Sequence, residues 1–264
     1  MIDLQIKRIN RSTMLNATSY ERVIVLSPHL DDAILSAACL LRALSSHLPC
    51  LVVTLAAANP ADHRVRHHIT LPIHRRQEDF AALRFVGCTP VHLAFEDAIY
   101  RQDPNGEHIY HSFEDIFAKP DPRDSAHQHA LLQTLERITH RLGSTLLIAP
   151  LSIGHHVDHI ICAQAALQLR SPDTHLWLYE DFPYVVDKGS RLGLNETPQS
   201  AAKRLGCHLR VHQDVPVDIG WKWQALSYYA SQLSLLFADE AAGKACLMQH
   251  RNEHGPIERF WSIA

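Results

Sequence analysis

The chain has no surplus of positive charge: 25 Lys and Arg stand against 28 Asp and Glu, a formal net charge of -3. Nothing in that balance equips it to hold a phosphate backbone, so no nucleic-acid partner is expected. Its six cysteines are scattered without a C-x-x-C pair, several inside apolar periodic stretches, and read as small core residues and not as a disulfide framework. The start, MIDLQIKRINRSTML, lacks the apolar segment of a signal peptide, and no stretch approaches the roughly 18 apolar residues of a membrane helix. A cytoplasmic, reducing location without a membrane span is the expectation. Also missing are a G-x-S-x-G nucleophile elbow, linker composition and any internal repeat. What remains is 46% hydrophobic and 20% charged over 264 residues, enough apolar material for a sizeable core in a single domain. Composition leaves a homo-oligomer open.

Strand and helix patterns alternate along this chain. Short apolar runs at Val23–Leu26, Cys50–Ala56, Val91–Phe95, Thr145–Ala149, His175–Tyr179 and Leu209–Val215 read as strands. Helical periodicity follows the first strand through Leu41 and recurs at His74–Val86, Ala126–Leu142, Asp158–Leu169 and Ile219–Leu236. Residues 1–20 read as an arm and 237–264 as a C-terminal tail with a helical stretch and ERFW, leaving a core at about 22–236. The order predicts an α/β fold: a Rossmann-like, mostly parallel sheet with helices on both faces, connected right-handedly. Two irregular stretches, Ala61–Pro72 and Glu96–Asp124, read as loops bordering a site, and Arg64 and Arg66 in the first are candidate substrate contacts.

Histidines number 20, and many, such as His47, His92, His140 and His175, are scattered without pattern. Two groups are not. In VIVLSPHLDDAILSAACLL a strand hands over to a helix at His29, Asp31 and Asp32, where an open α/β sheet places its crevice. One acid there is an ordinary helix cap. Two adjacent acids repel each other unless a cation lies between them. After the fourth strand, His155-His156-Val157-Asp158-His159 packs three imidazoles and an acid into five residues. In the predicted fold both groups fall on one sheet edge.

His29, Asp32 and His159 supply two imidazoles and a carboxylate, an open three-ligand set that suits one Zn²⁺ per chain, with Fe²⁺ or Co²⁺ as substitutes. Asp31, beside the ion and not on it, is placed to accept a proton from water as general base. His156 is placed to stabilise an oxyanion and donate to a leaving amine, oriented by Asp158. A dinucleotide-binding module is disfavoured, because the first turn carries two acids and no glycine. A metal-binding domain acting on another amide, or without turnover, is the remaining alternative.

The SPHLDD turn, the GHHVDH turn, the intervening HRRQEDFAALRFVGC helix and the later YEDFPYV together resemble the PIG-L/LmbE family of zinc N-deacetylases over roughly residues 22–235. The resemblance implies hydrolytic removal of N-acetyl from an amino sugar or related small glycoconjugate or natural-product intermediate. It matches His29, Asp32 and His159 to the metal ligands, Asp31 to the general base, His156 to the oxyanion or general-acid histidine, and Arg76 to a substrate-binding arginine. Glu180, in YED, is a further candidate substrate contact. The common first motif is PHPDDE; Leu30 and Ala33 depart from it, which bears on substrate choice and not on the ligands.

Overall fold

The computed structural model describes residues 19–59, 72–140, 143–186 and 196–264. In chain order its elements are β1 (Arg22–Ser27), α1 (Asp32–Ser45), β2 (Cys50–Thr54), α2 (Pro72–Val86), β3 (Thr89–His92), the short α3 (Phe113–Ile116), α4 (Ser125–Thr139), β4 (Thr145–Pro150) and α5 (Val157–Gln168). There follow β5 (Thr174–Tyr179), α6 (Pro198–Leu205), β6 (Leu209–Pro216), α7 (Ile219–Leu226), α8 (Ala230–Leu236), α9 (Glu240–Leu247), β7 (Arg251–Asn252) and β8 (Gly255–Ile263).

The strands form one sheet in the order β3-β2-β1-β4-β5-β8-β6, with β7 attached to β8. From β3 to β5 every pairing is parallel. The chain leaves β1 towards β2 and β3, then returns to β4 on the other side of β1. That reversal is a topological switch point, and it opens a crevice beyond the carboxyl ends of β1 and β4, where the two His/Asp turns lie.

Both faces of the sheet are covered, so β1 is apolar along its length instead of alternating. Val23 and Val25 pack against α1 and α2 through Leu40, Leu41 and Leu83, whereas Ile24 and Leu26 pack with Leu131 and Leu135 of α4 and Ile161 of α5. All six cysteines are free, and Cys39, Cys50, Cys88 and Cys162 are buried among these residues. Among the described residues no helix is long and apolar enough to cross a membrane.

Three differences from the sequence reading have physical causes. The expected helix from Ile219 to Leu236 is two, because Tyr229 turns inward and donates from its hydroxyl to Asp79 Oδ1 at 2.6 Å. The expected C-terminal tail instead supplies β8, an interior strand antiparallel to β5 and β6. Its polar-looking Glu258 is buried against Lys222 at 2.7 Å and accepts from the backbone N–H groups of Cys39 and Leu40, so the strand carries charge into the core in paired form. Residues 96–124 contain α3 and pack a small core of their own, including Ile99, Tyr100, Ile109 and Ile116 against Val157. The arm up to residue 18 and the expected helix end at Leu142 lie outside the described residues.

Candidate metal centre and cavity

The turn after β1 is fixed by its own side chains. Ser27 Oγ donates to the His29 carbonyl and accepts from Ala33 N–H, and Asp32 Oδ2 accepts from His29 N–H at 2.8 Å. Asp31 occupies the N-cap position of α1, yet its carboxylate makes no capping bond. It is left to face Arg75, whose Nη2 lies 3.6 Å from Asp31 Oδ2. Leu30 and Ala33 are buried in the core, so neither departure from PHPDDE reaches the cavity directly.

After β4 the chain passes through left-handed backbone at Ser152, Gly154 and His155 before α5 begins. At Gly154 a side chain would collide with the Tyr184 ring, so only glycine permits that approach. Non-glycine residues in this region cost about 1–3 kcal/mol each and mark turns held for function. The turn delivers His156 as the N-cap of α5, its Nδ1 accepting from Asp158 N–H at 3.2 Å. Asp158 therefore orients His156 through its backbone. Its carboxylate goes elsewhere, to His29 Nε2 at 3.0 Å, Ala98 N–H and the Arg101 guanidinium.

The two turns converge. Ring nitrogens of His29, His156 and His159 lie within 4.8 Å of one another, and a second grouping of His29, Asp97, His156 and Asp158 meets the same limit. Asp32 Oδ2 is 3.1 Å from His29 Nδ1 and 3.3 Å from His159 Nε2. His159 Nδ1 is fixed by Asp181 Oδ1 at 2.7 Å, and its buried Nε2 makes no aligned hydrogen bond. A buried ring nitrogen aimed at a carboxylate and two other imidazoles, itself unbonded, fits a metal ion well.

Charge in the cluster points the same way. Burial opposes charge on His29, but Asp97, Asp158 and Asp32 outweigh it and raise its pKa well above the imidazole range. His159 likewise rises, against burial, to about 9 through Asp32 and Asp181. Burial pushes Asp31 up to about 6, with Arg75 opposing and Asp32 reinforcing. His156 is held well below the usual imidazole range by burial and by the neighbouring His29. The acids of the cluster require positive charge, and His156 stays neutral beside it.

These groups floor a cavity of about 510 Å³, with His29, Asp31, Asp32, Arg75 and His156 at its base and Phe113, Phe117, Tyr184, Leu235 and Phe237 among its walls. Of the other residues singled out in the sequence, Arg76 turns to the Ala57 carbonyl, and its neighbour Arg75 reaches the cavity instead. Glu180 does not reach it: buried, it accepts from Trp261 Nε1 and contacts His250. Arg64 and Arg66 lie outside the described residues. The cluster also takes in Asp97, Asp181 and Arg75, which no ligand-type spacing in the sequence marks. Asp97 Oδ2 is 3.7 Å from His29 Nε2.

Comparisons of sequence and fold identify relatives of this chain. The 2'-N-acetylparomamine deacetylase of Niallia circulans is 28% identical over 260 residues, spanning 89% of this chain and 88% of that protein. The zinc-inhibited form of teicoplanin deacetylase Orf2 has a TM-score of 0.75 at 28% identity, covering 92% of this chain and 98% of that one. An N,N'-diacetylchitobiose deacetylase from Pyrococcus horikoshii, 13% identical with a TM-score of 0.52, covering 94% of this chain and 84% of that one, shares the fold. The family pattern PIG-L, GlcNAc-PI de-N-acetylase, matches residues 24–170, which contain both His/Asp turns, and the chain belongs to that family.

Proposed function

We propose that this chain is a metal-dependent hydrolase that removes an N-acetyl group from an amino sugar of a small glycoconjugate or natural-product intermediate. Family membership and the deacetylase relatives support the reaction class. The observation that carries the reading is the cluster of three imidazoles within 4.8 Å, two of them, His29 and His156, lining the cavity, beside an acid that caps nothing.

His29, Asp32 and His159 would hold the ion, and the mixed N/O set suits Zn²⁺, with Fe²⁺ or Co²⁺ as substitutes. When bound, such an ion acidifies water and polarises an amide carbonyl. Asp181 fixes His159 in the tautomer that presents Nε2 as a lone pair. His156 is the opposite case: while Nδ1 accepts from Asp158 N–H, the ring proton sits on Nε2, making that atom a donor and not a ligand. His156 therefore steadies the amide oxygen as it gains charge.

Asp31 takes the proton that water gives up on attacking the amide carbon. It then returns that proton to the departing amine, because a neutral His156 has none to release without becoming an anion. Burial pushes this carboxyl up while Arg75 opposes, so it is a group that can both take and return a proton. Arg75 lies close enough to steady Asp31 between the two.

The test is acetate release from a panel of N-acetylated amino sugars before and after chelation and after restoring single metals. Turnover that disappears on chelation and returns with one divalent ion is expected. A chelated protein that turns over at the full rate would overturn the reading.

A further inference from the structure

We propose that the substrate's N-acetylated sugar carries an aromatic aglycone, which lies on a ring-lined wall running from His156 to solvent at Phe113. The inference rests on the deacetylase reading above and adds the part of the substrate that does not react.

The wall is a chain of rings. His156 meets Phe117 edge-on, with centroids 5.1 Å apart at 86°, and Phe117 meets Phe113 at 4.8 Å. Tyr184 lies 6.2 Å from Phe117 and 5.9 Å from His159, so rings continue to the reacting centre. At the other end Phe113 is 52% exposed, and Leu235, lining the same cavity, is 40% exposed. An exposed ring such as Phe113 beside a polar reaction centre marks ligand contact.

The presentation of Phe113 is ordered. Its helix begins with a capping box in which Ser112 Oγ accepts from Asp115 N–H and Asp115 Oδ2 accepts from Ser112 N–H at 2.9 Å. The ring is thus held out over the cavity by a defined turn. Rings in edge-on and tilted arrays select a flat aromatic partner, which completes offset and T-shaped contacts in a way an alkyl chain does not.

Polar chemistry in the cavity points the same way. Its carboxylates are Asp31 and Asp32, both at the reacting centre, and its cation is Arg75, engaged with Asp31. Farther out the polar side chains of the described lining include Gln232 and Gln249 and no carboxylate. Among the described lining residues a sugar bearing several ammonium groups finds no acid there, whereas a flat apolar body finds rings.

The test compares 2-naphthyl, octyl and methyl N-acetyl-β-glucosaminides by acetate release at saturating divalent metal. In parallel, calorimetry measures Kd for the 2-naphthyl and methyl β-glucosaminide products. The naphthyl compound should exceed the methyl one in kcat/KM by about 10–100-fold, mostly through KM, and exceed the octyl one as well. Phe113→Ser with Leu235→Ser, at exposed sites and with the fold checked by thermal melting, should bring the naphthyl-to-methyl ratio towards one. Acetate release from all three at similar kcat/KM, a ratio unmoved by the double variant, or an octyl compound matching the naphthyl one would overturn the aglycone inference and leave the deacetylase reading standing. So would a dimer that dissociates on Phe113→Ser, which would give the wall to a second copy. No acetate from any compound, with the naphthyl binding preference intact, would sink the deacetylase reading and keep the wall.

Discussion

Asp181 Oδ1 lies 2.7 Å from His159 Nδ1, while Nε2 of the same ring faces Asp32 Oδ2 at 3.3 Å without an aligned hydrogen bond. One carboxylate thus sets the tautomer of a ring whose other nitrogen is free to bind. Asp181 Oδ2 also accepts from Ile153 N–H at 2.9 Å, tying the turn after β4 to the end of β5. Replacing the carboxylate while keeping its shape, as in Asp181→Asn, should weaken metal binding by about 10–100-fold. Titration against a chromophoric chelator reads this directly, and unchanged affinity would reduce Asp181 to a fastener for Ile153.

Asp31→Asn should keep the metal and lose about 10²–10⁴ in kcat, since the amide cannot accept a proton at nearly the same volume. Elemental analysis paired with turnover separates the two. Near-normal turnover would leave Asp31 only as the partner of Arg75 and take it out of the chemistry.

His156→Gln should retain more activity than His156→Ala, because the glutamine amide also offers an N–H donor but no titrating proton. The alanine variant should lose about 10²–10³ in kcat. If the two variants were equally impaired, the role of His156 would require its ionisation and Asp31 would not be the proton's route to the amine.

The convergence of the two turns was legible because each is written locally: an apolar run, then His and Asp, then helical period. What the sequence did not show was phase. Glu180 and Asp181 are neighbours at the end of a strand, so they point to opposite sides; Glu180 meets Trp261 and His250, and Asp181 meets His159. Arg75 and Arg76 are adjacent on α2, whose apolar stripe is too weak to say which faces the cavity. β8 was hidden because Glu258 reads as surface charge, and its partner Lys222 comes from a different element. In each case the deciding contact is distant in sequence.

That buried pair makes its own prediction. Lys222 is 2% exposed and Glu258 1%, and Glu258 also bonds backbone in the middle of α1. Lys222→Met leaves a buried carboxylate unpaired and should destabilise the protein by about 3–5 kcal/mol in denaturant unfolding. The double change with Glu258→Gln should recover part of that loss, whereas strict additivity would show that the two charges do not act as a pair.

The last prediction concerns pH and a histidine away from the metal cluster. His127 Nε2 lies 3.5 Å from Arg101 Nη1, and its ring packs edge-on against Phe95 at 5.2 Å. Burial, with Arg101 adding to it, lowers its pKa to about 4. An unfolded chain takes up this proton near pH 6.5, and the folded chain does not until about 4. Between those values the unfolded state binds more protons, so the stability contributed by neutral His127 is present above pH 6.5 and is lost as pH falls towards 4. His127→Gln removes the proton site and keeps a neutral acceptor for Arg101. Measured by urea unfolding from pH 7.5 to 4.5, the wild type should lose on the order of 2 kcal/mol more than the variant, with the difference opening only below about pH 6.5. Parallel curves across the range would mean that His127 titrates normally in the folded protein.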